Sequence, residues 1–198
     1  MKPLLLSEAL EKYNIDSSNY IHESVLFIET DSNSGIRIGK NNIIAPGCVI
    51  WSGTEYRTNT LIGSNNYIGP NTVIKSDSIL GSNNYIESNM YLGLHSCIQD
   101  YTKIESSVSI SDYSTVGSFA YIGTLTPIIK DVMPFSKVFG NPATLKGFNS
   151  TKTVTDKFNS EQIKEIFEFI KNNKEFSDIF LISILDSFFN QSRKKHIK

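Results

Sequence analysis

Residues 62–68 read Ile-Gly-Ser-Asn-Asn-Tyr-Ile, and residues 80–86 read Leu-Gly-Ser-Asn-Asn-Tyr-Ile, the same phrase returning after 18 residues. Within each copy the aliphatic residues stand six apart. Stepping by six outward from here, the pattern runs from Ile38 through Ile44, Ile50, Ile74, Leu92, Ile98, Ile104, Ile110, Val116 and Ile122 to Ile128; only Tyr56 breaks the aliphatic series. Four residues after each station stands, in most repeats, a small one, such as Cys48, Thr54, Thr60, Thr72, Ser78, Ser96 or Ala120. No α-helix gives a strict period of six, because 3.6 residues per turn drifts out of phase within two repeats.

A period of six is what a parallel β-helix requires. One aliphatic and one small residue, two apart, point inward on a short strand, and the remaining residues turn a corner. Three such strands close a triangular coil of 18 residues, and the hexads from 38 to 128 make a little over five coils. Asn and Gly at the corners tolerate left-handed backbone angles that cost other residues about 1 kcal/mol or more. The unbroken phase predicts an unbroken wall between 38 and 128, with no room for a long inserted loop. Residues 21–37 read as an irregular first coil, one residue out of phase. Residues 1–20 read as an N-terminal segment with a short helix from Ser7 to Tyr13, capped by Ser7.

Composition narrows the function classes. The chain has 198 residues, enough for one domain with a small appendage. Its 19 basic and 20 acidic residues leave a net charge of -1, so no basic field attracts nucleic acid or anionic membrane. Leu4-Leu5-Leu6 is too short for a signal peptide core, and the apolar run from Ile179 to Leu185 is well short of a bilayer span. Two cysteines, Cys48 and Cys97, make no disulfide framework. A soluble, cytoplasmic protein without an integral membrane segment is expected.

After about residue 144 the repeat gives way to a charged region, 145–198. Ile163, Ile166, Phe167 and Ile170 follow i, i+3, i+4, i+7, an amphipathic helix with Asn159 as N-cap and Gln162 in the capping-box position. A second helix is expected from Ser177 through Phe189, with apolar residues packed on the first helix and the coil. Arg193-Lys194-Lys195 reads as a solvated end.

The hexads, followed by Asp131-Val132-Met133-Pro134-Phe135 and Gly140-Asn141-Pro142-Ala143, resemble the hexapeptide-repeat acyltransferases. That resemblance implies an all-β left-handed parallel β-helix over residues 21–144, a small α-helical C-terminal extension, and a homotrimer. Gly147-Phe148-Asn149, Phe158-Asn159-Ser160-Glu161-Gln162-Ile163 and Asp186-Ser187-Phe188-Phe189-Asn190-Gln191-Ser192 are similar to the tail of the UDP-N-acetylglucosamine O-acyltransferases of lipid A synthesis. The resemblance spans about residues 36–192. Where those enzymes carry adjacent arginines, this chain has Thr155-Asp156, so the likeness supports acyl transfer better than that particular acceptor. It implies transfer from an acyl-carrier-protein or acyl-CoA co-substrate, with no bound cofactor, to a nucleotide-linked sugar for surface glycan or lipid A synthesis. An acetyl-CoA-dependent N-acetyltransferase of an amino sugar and a non-catalytic β-helix scaffold are the alternatives.

His95, in Leu92-Gly93-Leu94-His95-Ser96-Cys97-Ile98, resembles the catalytic histidine of that family, which is commonly followed by Asp-Cys rather than Ser96-Cys97. Stepping by 18 through it places Asn41, Asn59, Asp77, His95, Tyr113 and Asp131 on one corner, with adjacent coils about 4.8 Å apart. Asp77, one layer away, is expected to fix the tautomer of a general base. Tyr113 is expected to offer its backbone N–H to the oxyanion. Lys75, Gly93 and Lys103 are the substrate-binding candidates, and Gly140 and Asn141 of the exit segment the candidates for the acyl-donor cofactor. Cys97 is a poor nucleophile candidate because the family transfers the acyl group directly. The remaining histidines, His22 and His196, lie outside the regular array, so no zinc site is expected.

Overall fold

The computed structural model describes residues 1–31, 33–54 and 59–192. Short parallel strands wind as a left-handed β-helix with three flat walls. Sheet A stacks Leu26–Glu29, Val49–Trp51, Val73–Ile74, Tyr91–Leu92, Ser109–Ile110 and Pro127–Ile128. Sheet C stacks Gly35–Ile38, Asn59–Ile62, Ile79–Leu80, Cys97–Ile98 and Thr115–Val116. Sheet B stacks Tyr20–Ile21, Ile43–Ile44, Tyr67–Ile68, Tyr85–Ile86, Lys103–Ile104, Tyr121–Ile122 and Ser136–Phe139.

The inward stations are the core. Ile44, Ile50, Ile68, Ile86, Ile98, Ile104, Ile110, Val116, Ile122 and Ile128 are fully buried, alongside small partners such as Cys48, Thr60, Thr72, Ser78, Ser96 and Ala120. One inner edge carries a polar ladder. The Asn42 side-chain oxygen accepts the Asn66 N–H at 2.9 Å, Asn66 accepts from Asn84 at 2.9 Å, and Asn84 accepts from Thr102 at 2.7 Å. Each buried amide oxygen is satisfied here by an N–H of the coil above.

The wall is not unbroken. From Leu61 with Ile79 up to Ser109 with Pro127 the pairs stand 18 apart, but Ile38 pairs with Ile62, Ile43 with Tyr67 and Val49 with Val73, each 24 apart. Six extra residues leave the wall between Trp51 and Asn59. An insertion of one whole hexad preserves the phase, which is why the periodicity conceals it. Thr54 therefore stands in this loop rather than at an inward station, and Tyr56 lies outside the described residues. The first coil is also irregular: Tyr20 pairs with Ile43 and Leu26 with Val49, 23 apart, with the extra length between Glu29 and Gly35. Both loops sit where the chain passes from sheet A to sheet C. Near the other end, Val116 meets Val132, a spacing of 16, so Asp131 drops out of the column assigned to it.

The N-terminus differs from the expectation. Lys2–Leu4 forms an antiparallel strand against Leu26–Glu29, and helix α1 spans Leu6–Lys12. Its N-cap is Leu5, not Ser7, because the Glu8 carboxylate reaches back to accept the Leu5 N–H at 2.9 Å.

At the other end Ser136–Phe139 turns back on Thr144–Phe148, an antiparallel pair that ends sheet B. Helix α2 (Lys152–Thr155) leads to α3 (Ser160–Asn172), whose Asn159 side chain accepts from the Glu161 and Gln162 N–H groups in the expected capping box. Helix α4 spans Ile179–Gln191, starting two residues later than the expected Ser177, and is capped by Asp178. Both helices dock on one corner of the coil. There, Asn41, Asn65, Asn83, Tyr101, Phe119 and Phe135 occupy successive left-handed positions. The rings of Tyr101 and Phe119 stack at 4.9 Å and those of Phe119 and Phe135 at 5.3 Å, with Phe158 edge-on to the last two. Val154, Ile166, Phe176 and Leu181 complete this second core. Among the described residues, no helix is long and apolar enough to cross a membrane.

Candidate functional site

At the corner between sheets A and C, Asp77, His95 and Tyr113 lie one above another, with left-handed φ of 59°, 53° and 61°. Of the six residues assigned to this column, only these three share it. Asn41 belongs to the corner under the helices, Asn59 begins a sheet C strand, and Asp131 faces Thr115, accepting its N–H at 2.7 Å. The six-residue insertion and the shortened last turn account for all three displacements.

The His95 ring is held on two sides. Its Nε2 lies 3.6 Å from Oδ2 of Asp77, an ion-pair distance rather than a hydrogen bond, and it stacks on Tyr113 with ring centres 4.9 Å apart. The His95 side chain is 11% exposed, whereas the Asp77 side chain is wholly buried. Such contacts are often long before substrate closes the site. Facing Asp77 through Nε2, the ring turns Nδ1 away as the nitrogen free to accept a proton.

Three expected roles change. The Tyr113 N–H donates to the Leu94 carbonyl at 2.9 Å, so it is committed to the coil and does not serve an oxyanion; Tyr113 contributes its ring instead. Gly93 is buried, and a Cβ there would stand 2.6 Å from the Asp112 nitrogen; glycine is required by the close approach of the next coil. Lys103 projects from sheet B, away from this corner, with Nζ 5.3 Å from the Tyr121 ring centre.

Lys75 does flank the site. Its backbone is adjacent in register to Gly93, and its Nζ sits 3.5 Å from the centre of the Trp51 ring. Burial holds the ammonium below the ordinary lysine range, partly offset by the Asp112 carboxylate. Trp51 and Asp112 escaped the sequence reading, since neither carries a motif; their proximity follows from the coil geometry alone. Gly140 and Asn141 lie on the exposed turn between Ser136–Phe139 and Thr144–Phe148, at the end of sheet B and off the His95 corner.

The end of α4 lies on sheet C close by. The Cys97 thiol donates to Gln191 Oε1 at 2.9 Å, the same oxygen accepts from Gln99 at 3.2 Å, and Ser192 donates to Asp131 at 2.7 Å. Cys97 thus fastens the helix, consistent with a structural thiol.

The Tyr121 cluster on sheet B gives a separate pH test. The Tyr121 hydroxyl donates to Glu105, which also accepts from the Thr124 N–H at 3.0 Å. Burial, followed by that bond and the Glu105 charge, pushes the phenol up to about 12 from 10.0. The folded state favours the neutral phenol, so this contribution to stability is complete below the unfolded value and is lost as pH rises through the folded one. Thermal melts should therefore decline more steeply between pH 10 and 12 for the wild type than for Tyr121→Phe. Parallel declines would contradict this.

Residues 59–93 match the family model of the bacterial transferase hexapeptide (six repeats). Similar solved structures include the UDP-N-acetylglucosamine acyltransferase of Francisella novicida, 26% identical over 91% of this chain and 75% of that one, with a TM-score of 0.79. LpxA from Acinetobacter baumannii is 23% identical over 91% of this chain and 79% of that one, with a TM-score of 0.80. The UDP-N-acetylglucosamine O-acyltransferase from Moraxella catarrhalis is 22% identical over the same shares, with a TM-score of 0.68. No curated protein matches the chain significantly. The resemblance drawn from the hexads and the tail is borne out: the chain is a hexapeptide-repeat left-handed β-helix similar to these acyltransferases.

Proposed function

We propose that this chain is an acyltransferase that moves an acyl group from a carrier-protein or CoA thioester to a nucleotide-linked sugar. The observation that carries this reading is His95, held at a coil corner between a buried carboxylate and an aromatic ring, in a fold shared with solved acyltransferases. A buried carboxylate facing an imidazole at a coil corner favours catalysis over a non-catalytic scaffold.

In this reading Nδ1 of His95 takes the proton from the acceptor hydroxyl or amine as its oxygen or nitrogen attacks the thioester carbonyl. Asp77 supports the positive charge on the ring. The tetrahedral intermediate then collapses, the carbon–sulfur bond breaks, and the leaving thiolate receives the proton from the imidazolium. Lys75 supplies positive charge at the corner for the phosphates of the nucleotide sugar. The proposed thioester donors and nucleotide sugars are cytoplasmic metabolites, which supports a cytoplasmic location for the reaction.

Incubation of the purified protein with acyl-ACP or acetyl-CoA and a panel of UDP- and GDP-sugars tests the proposal. An acylated nucleotide sugar, seen by mass spectrometry, is expected. Failure to form one across the panel would count against transfer to this class of acceptor.

We also propose a homotrimer. Tyr85 and Tyr91 stand exposed on two of the flat walls, with Ile43 and Leu26 exposed further down the same walls, and burial of such apolar surface drives association. Light scattering at micromolar concentration should give a trimeric mass; a monomeric mass would oppose the assembly.

A further inference from the structure

Asp77 is a fully buried carboxylate, and a buried carboxylate must be given donors or be neutralised. Its donors come from the inserted loop. The Thr54 N–H donates to Oδ1 at 2.7 Å, and the Thr54 hydroxyl donates to Oδ2, the oxygen that faces His95. One residue thus clasps both carboxylate oxygens and sets the direction of the second.

Thr54 is itself held firmly. The Ser52 N–H donates to the Ile28 carbonyl at 2.9 Å, and the Gly53 N–H to the Gly35 carbonyl at 3.0 Å. Below them the first-coil loop braces the turn: the Thr30 N–H donates to Ser52 Oγ at 3.0 Å, Ser34 and Ser52 share a hydroxyl contact of 2.7 Å, and the Thr30 hydroxyl donates to the Gly53 carbonyl. Both irregular loops of the coil therefore lie at the one corner that carries Asp77 and His95, directly beneath them. In strict register Thr54 would stand at an inward small-residue station; the insertion moves it to the corner, where it meets the carboxylate.

We infer that Thr54 is the positioning residue of the Asp77–His95 pair, delivered by the six-residue insertion, and that it orients the imidazole by fixing the carboxylate behind it. This rests on the reading of His95 as the general base. Thr54 meets no reacting atom; it acts through Asp77.

The test compares the full-length wild type with Thr54→Val, Thr54→Ser and Asp77→Asn, each checked for an intact fold by circular dichroism. The first readout is the ¹⁵N spectrum of His95 in the absence of substrate. It should show the Nε2–H tautomer in wild type and Thr54→Ser, and mixed tautomers in Thr54→Val and Asp77→Asn. The second is kinetics: Thr54→Val should lower kcat about 10-fold, the scale of a lost hydrogen bond to a charged group, with KM little changed. Thr54→Ser should restore kcat, and Thr54→Val should add no further loss in the Asp77→Asn background. Wild-type tautomer and kcat in Thr54→Val would overturn the inference. Should His95 prove not to be the base, activity would survive His95→Ala, while the tautomer comparison would still report whether Thr54 orients the ring.

Discussion

Replacing His95 with alanine should lower turnover by about 10²–10⁴-fold, the range of a positioned acid–base group, while leaving the coil folded. The ring is the only part of the residue that the proposed chemistry uses. Its backbone N–H donates to the Ser76 carbonyl at 3.2 Å, and alanine retains that bond. The left-handed φ of 53° is already borne by a residue with a Cβ, so alanine adds little strain. What the fold loses is a stacked pair with Tyr113, worth about 0.5–1.5 kcal/mol, and the ion-pair contact with Asp77, whose carboxylate keeps its two Thr54 donors. His95→Asn is a useful companion, because asparagine accepts left-handed angles readily yet cannot serve as the base. Steady-state kinetics with a thermal melt of each variant checks both halves. A variant that keeps most of its turnover would place the base elsewhere.

Phe135→Ala should cost about 3–5 kcal/mol of stability, the usual penalty for emptying a well-packed aromatic site. Phe135 is fully buried, stacked on Phe119, and met edge-on by Phe158 and by Phe176 at 6.1 Å. Its neighbours come from the coil, from the segment before α3 and from the segment before α4, so no single element can collapse into the space. The loss should also loosen the helices from the corner, bringing early proteolytic cleavage between residues 145 and 178. Denaturant unfolding and limited proteolysis measure the two effects. A cost below about 1 kcal/mol, with wild-type cleavage, would mean that the helices are held by other contacts.

The coil was legible because its signal is redundant: a lost station, such as Tyr56, leaves its neighbours in phase. The same redundancy hid the insertion. Six extra residues between Trp51 and Asn59 return the chain to the same phase, so on this corner arithmetic by 18 holds from Asp77 to Tyr113 and fails below Asp77. Asp77, His95 and Tyr113 were thus found together, while Asn41 and Asn59 were misplaced. Asp131 was lost to the opposite error, a turn shortened by two residues after Ile128. Thr54 was invisible for a further reason. At a small-residue station it looked like an inward threonine, and only the path of the loop reveals that it meets a carboxylate 23 residues away. The Tyr113 N–H failed as a donor because coil-to-coil hydrogen bonding uses it, which sequence spacing does not display. The helical caps were readable where they are local, as at Asn159, and misread where a longer side chain intervenes, as Glu8 does at Leu5.

The most direct measurement is a crystal structure of the protein with a nucleotide sugar bound. The acceptor hydroxyl or amine should lie within about 2.6–3.2 Å of the His95 ring, on the side away from Asp77, with the phosphates reaching toward Lys75. A sugar bound away from the corner of Asp77, His95 and Tyr113, with His95 facing only solvent, would contradict the assignment of this corner as the active site.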